Sequence, residues 1–177
     1  MDETAAAGNP ILVNLIRQNQ WANLELIDAC AALDPTFLDT EAPGTFGTIR
    51  TTLWHIIEIE HRFNAALAGE PVIDLTPLAG SPDGELATLR VHAHDTGEAL
   101  AAWAESVAGD PIMTGEWSFG PYAIPASVFA AQALLHGADH RSRIQLALSR
   151  AGYEVPNLDA WSWWRTALAV SQESATI

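Results

Sequence analysis

An all-α four-helix bundle is the fold this sequence predicts, and three observations predict it. Apolar residues recur at steps of three and four through four long stretches, the period of an amphipathic helix. Loops punctuated by proline and glycine separate those stretches. Two histidines four residues apart, His136 and His140, fall on the apolar stripe of the fourth stretch, and bundles build their sites from side chains on facing helices.

The first helix is expected from about Pro10 to Leu33. Asn9 can cap it, Pro10 fits its first turn and Asp34-Pro35 ends it. Leu12, Ile16, Leu26, Cys30 and Leu33 form its apolar row, interrupted by Asn19 and Asn23. Two inward amides need partners; they either border a polar cavity or turn to solvent. Residues 35–47 read as a loop. The second helix follows from about Thr48 to Ala68, with Gly69 as its stop. A Pro-rich loop covers residues 70–80, and a third helix begins near Ser81-Pro82 and runs to about Val107, with His92 and His94 on its surface. Residues 109–124 form the long connection, as a small hairpin or a plain crossover, with Trp117, Phe119 and Tyr122 over one mouth of the bundle. The fourth helix takes residues 125–151. A short C-terminal helix carries Trp161, Trp163 and Trp164, as a core cap or a contact between subunits.

Length and composition fit one domain spanning residues 1–177, with enough apolar content for a core. The formal net charge of −14 argues against nucleic acid, whose binding rests on basic residues neutralising phosphates. No apolar run is long enough to cross a membrane. The acidic, Ala-rich start lacks the pattern of a signal peptide, so a cytoplasmic location is expected. Cys30 is the only cysteine, which rules out an intrachain disulfide and suits a small core residue.

The candidate chemistry lies in the histidines. At a spacing of four, the rings of His136 and His140 stack on one helix face. His55 lies on the row Thr48, Thr52, His55, Ile59 of the second helix. One imidazole from one helix and a pair from another would make a three-histidine metal site with a vacant position, the arrangement of catalytic rather than structural metals. Glu58, three residues after His55, could add a ligand, accept a hydrogen bond from a ligating ring, or pair elsewhere. Arg141 and Arg143 either pair with nearby acids or hold an anionic substrate. His61 sits about 120° round the helix from His55 and is poorly placed to join them.

Thr45-Phe46-Gly47-Thr48-Ile49-Arg50 leading to Leu53-Trp54-His55-Ile56, and Leu135-His136 followed by Asp139-His140-Arg141 and Gln145, resemble the second- and fourth-helix signatures of the DinB/YfiT-like metalloenzymes. The resemblance covers about residues 10–165. It implies a four-helix bundle with one crossover, a divalent metal (zinc or nickel) on His55, His136 and His140, and a homodimer. It also implies a small-molecule substrate and a low-molecular-weight thiol co-substrate, as in the family's S-transferases, or related hydrolase chemistry. The alternative is a non-catalytic dimeric protein that binds a metal or small ligand under stress. Gly137 departs from the pattern, at a helix cost of about 1 kcal/mol. So does the want of a second domain of the maleylpyruvate isomerase type.

Overall fold

The computed structural model describes residues 8–70, 75, 85–117 and 120–174. Six helices and one hairpin follow in order: α1 (Pro10–Ala31), α2 (Pro35–Leu38), α3 (Ile49–Ala68), α4 (Leu86–Ser106), β1 (Ile112–Trp117), β2 (Gly120–Pro125), α5 (Ala126–Arg150) and α6 (Ala160–Ser174). The four long helices close a ring in which α1 packs on α4, α4 on α3, α3 on α5 and α5 back on α1. The all-α bundle is therefore observed.

Local chemistry explains the element ends. Asn9 Oδ1 accepts from the backbone N–H groups of Ile11 and Leu12, and Pro10 occupies the first turn of α1. Thr48 caps α3 through the N–H of Thr51. Gly69 ends α3 at φ +69, a left-handed conformation that costs glycine little. The expected loop over residues 35–47 is interrupted by the short α2. There Asp34 caps the N–H of Thr36 and Pro35 sets the first helical φ. The expected start at Ser81-Pro82 lies outside the described residues, as do Phe119 and the Trp117 side chain.

The connection from α4 to α5 is the hairpin of the two alternatives. Its strands pair antiparallel in the register Ile112–Pro125 to Trp117–Gly120. Tyr122 packs its ring 5.5 Å from that of Phe129, closing one end of the core. On α6, Trp161 and Trp164 meet edge to face and are 70% and 51% exposed, so they do not cap the core. None of the described helices is long and apolar enough to cross a membrane.

The core is two apolar clusters with a polar layer between them. One contains Leu26, Ile57, Ala93 and Ile144; the other contains Ile16, Leu67, Leu100 and Ala133. Between these residues, each long helix contributes buried polar or small groups: Asn19 and Asn23, Glu60, Thr96 and Gly97, Gly137 and Arg141. Cys30 is sealed in the first cluster, where burial pushes its thiol up to about 12, so it is inert as a nucleophile.

Candidate metal centre

α3 and α5 pack side by side, and this brings His55 to His136 and His140. The ring centroids are 4.9 Å apart for His55 and His136, 5.0 Å for His55 and His140, and 4.5 Å within the α5 pair. One nitrogen from each ring lies within 4.8 Å of the other two. Among the described residues they are the group of three or more histidine, cysteine or carboxylate ligands placed closely enough to share an ion.

All three rings are half-buried. The sequence places the α5 pair on the buried stripe itself, and here the structure shifts the picture. The fully buried row of α5 is Phe129, Ala133, Gly137, Arg141, Ile144 and Leu148, and the histidines flank it on the α3 side. The small residues of that row let α5 approach the bundle, leaving the longer imidazoles in the groove.

Electrostatics favours neutral rings. Burial, then the charges of His140 and His55, holds His136 down to about 4. Burial lowers His55 as well, reinforced by His140 and opposed by Glu58. His140 is lowered by burial against the pull of Asp139. Neutral imidazole is the form that ligates. Furthermore, His136 Nε2 and His140 Nδ1 are buried without a hydrogen-bond partner among the described residues. Buried polar atoms are ordinarily satisfied, so two orphaned ring nitrogens within a three-histidine cluster fit a cation. The match of donor type and number is that of a divalent transition metal.

Phe46, whose role no periodicity in the sequence signals, stacks on His55 with ring centroids 4.0 Å apart and planes 13° apart. Its backbone is fixed to α3: Thr52 Oγ1 accepts from the Phe46 N–H, and Thr51 Oγ1 donates to the Phe46 carbonyl. Glu58 accepts from Arg62 at 2.5 Å, and its charge favours protonated His55. Arg143 grips Asp139 through two nitrogens and donates to the Gly44 carbonyl at 2.9 Å. Arg141 points the other way, into the bundle. His61 stands apart from the three, His92 is half-buried with its ring 6.0 Å from Trp54, and His94 is exposed beside Asp95.

Sequence reasoning missed the partners of Arg141. Glu60 is 2% exposed and Arg141 6%. Asn19 Nδ2 donates to Glu60 Oε1 at 2.9 Å, Asn23 Nδ2 reaches both its oxygens, and Arg141 Nη1 donates to Asn23 Oδ1 at 2.6 Å. Burial raises Glu60, while Asn19, the Arg141 charge and Asn23 draw it back. A signal was present: Leu53, Ile57, Glu60 and Leu67 share one face of α3.

The pairing of a second-helix histidine with the fourth-helix pair coincides with a match of the DinB family profile to residues 1–173. The chain belongs to the DinB family. No curated protein matches it. In this DinB-family chain, the three-histidine cluster is a site able to hold a metal ion.

Proposed function

We propose that this chain is a metal-dependent enzyme. In this reading His55, His136 and His140 hold a divalent ion, zinc or nickel, and a low-molecular-weight thiol or water is activated there for transfer to, or hydrolysis of, a small molecule. The observation that carries it is the convergence of three imidazoles kept neutral by burial, two of them with orphaned buried nitrogens. A divalent ion held by His55, His136 and His140 would supply Lewis acidity that lowers the pKa of a thiol or water towards neutral.

The chain's own residues prepare that position. Phe46 covers one face of His55 and keeps water from that side. Arg143 joins Asp139, the neighbour of His140, to Gly44, and so fastens the loop carrying Phe46 to the helix carrying two histidines. Arg143 also lines a cavity of about 250 Å³ with Phe37, Glu41, Leu146, Ala147 and Arg150. Its largely apolar walls suit an apolar substrate, with Arg150 and Glu41 as the charged groups that would orient a polar end. The exposed Trp161 and Trp164 suit a homodimer contact, which light scattering tests by a shift to monomer in Trp161→Ser.

Metal analysis of protein purified without an affinity tag tests the reading first. A bound transition metal that His140→Ala loses supports it, and metal undiminished in that variant removes it. Turnover of electrophiles with mycothiol, bacillithiol or glutathione, lost in His55→Ala, then separates an enzyme from a protein that only stores the ion.

A further inference from the structure

Arg141 follows His140 directly, but a helix turns about 100° per residue, and the guanidinium leaves the histidine groove for the α1 side of α5. Its Nη1 donates to Asn23, and Glu60 lies behind it. Among the described residues that is its one hydrogen bond, although a guanidinium carries five N–H donors. The rest are not sealed in the core. Arg141 lines a cavity of about 350 Å³ together with Gln18, Ala138, Gln145, Asn157, Leu158 and Asp159.

The walls of this cavity are built. Gln18 on α1 donates through Nε2 to the Leu158 carbonyl at 2.9 Å, and Gln145 on α5 donates to the Pro156 carbonyl at 2.8 Å. These two bonds pin the segment before α6 across both helices. They consume amide donors and leave the glutamine carbonyl oxygens as acceptors. Asp159 stands at the rim, held by the backbone N–H of Ser162 at 2.7 Å. The lining of the cavity therefore combines a nearly desolvated guanidinium with amide acceptors and a carboxylate.

We propose that this cavity is a second binding site, back to back with the histidine cluster across α5, for a small zwitterion whose carboxylate meets Arg141 and whose ammonium meets Asp159 and the glutamine carbonyls. A nearly desolvated guanidinium forks onto a carboxylate more strongly than a solvated one does. Glu60 offsets the charge of Arg141 from behind, and Asp159 repels a second negative charge, so a dianion such as phosphate is disfavoured. The volume is at the small end for ligand sites and matches a molecule of amino-acid size.

Glycine is the probe, followed by the nitrogen and proton resonances of the Arg141 Nε–H and the Gln18 and Gln145 side-chain amides. The expected result is a saturable shift of all three groups, with acetate about tenfold weaker because it lacks the ammonium, and with inorganic phosphate not saturating. Ala138→Phe is the blocking variant: Ala138 is exposed on α5, so the ring fills the cavity without entering the core. It should abolish the glycine shifts at an unchanged melting temperature. Non-saturating shifts, acetate as tight as glycine, or glycine binding undiminished in Ala138→Phe would overturn the proposal. His140→Ala should leave glycine binding intact, so this site and the metal reading fail separately; loss of glycine binding in His140→Ala would also overturn the two-site assignment.

Discussion

Two groups of polar side chains occupy the same level of the bundle on opposite flanks of α5, and they solve burial differently. On the α1 side, Glu60, Asn19, Asn23 and Arg141 form a charged, hydrogen-bonded layer in which the carboxylate is bonded at both oxygens. On the α3 side, His55, His136 and His140 are neutral, half-buried and left with two unpartnered ring nitrogens. Charge deep in a core must be matched by partners or it unfolds the protein. Neutral imidazoles can stay unmatched at a modest cost and so remain available. The contrast separates a polar group whose members are matched to one another from one with ring nitrogens left able to take an ion.

Breaking the charged layer should have the largest effect. Glu60→Ala leaves the Asn19 and Asn23 amides without their acceptor and the buried Arg141 without its counter-charge, and removing one member of such a set costs about 3–5 kcal/mol. Urea unfolding should show it as a midpoint shift; a loss under about 1 kcal/mol would mean the layer is not a coupled unit. The histidine flank should respond in the other sense. Histidine-to-alanine changes cost little in the metal-free protein, whereas excess zinc should raise wild-type stability by about 2.7 kcal/mol at a hundredfold excess over the dissociation constant. That gain should vanish in His136→Ala, as read by calorimetry with and without a chelator.

The same contrast explains what the sequence could and could not disclose. Helices, caps and loops follow from local chemistry, and Asn9, Thr48 and Gly69 act as their residue types predict. The three histidines were legible because i, i+4 spacing and helical rows place side chains directly. The α2 turn was hidden because one Asp-Pro pair can either end a helix or begin one. Phe46 was hidden because its position depends on a loop folding back over His55, which no periodicity encodes. The charged layer was half legible: Asn19 and Asn23 stood out on an apolar row, but their partner Glu60 was passed over beside Glu58. Which acid faces inward depends on the helix rotation, and that is set by packing.

Gly137 sharpens the point. On composition alone it is a helix defect, and alanine there should gain about 1 kcal/mol. Yet a Cβ at that position would meet Arg141 Nη1 at 2.8 Å and Glu60 Oε1 at 2.9 Å, with Asn19 Oδ1 at 3.3 Å. Both close neighbours are held by hydrogen bonds and cannot swing away freely. Overpacking of this kind costs about 1–3 kcal/mol, so Gly137→Ala should be destabilising by about 1 kcal/mol net. In a Glu60→Gln background the penalty should shrink, because the neutral amide is freer to move. An additive double-mutant cycle would show that the layer and the glycine are independent.

The smallest effect, in pH dependence, distinguishes the two flanks by sign. In the metal-free protein His136 is held down to about 4 against 6.5 when unfolded, and His55 and His140 are lowered too. Between those values the unfolded chain binds more protons, so this contribution to stability is present above about pH 6.5 and lost as pH falls towards 4. Glu60 acts oppositely: burial raises it, so its contribution is present below its ordinary 4.5 and lost as pH rises through its folded value. Chelator-treated wild type should therefore lose urea resistance from about pH 7.5 to about pH 5 more steeply than His136→Gln, and Glu60→Gln should steepen the acid-side loss further. Identical slopes in wild type and His136→Gln would mean that the imidazoles titrate alike folded and unfolded, and that the groove is as wet as bulk water.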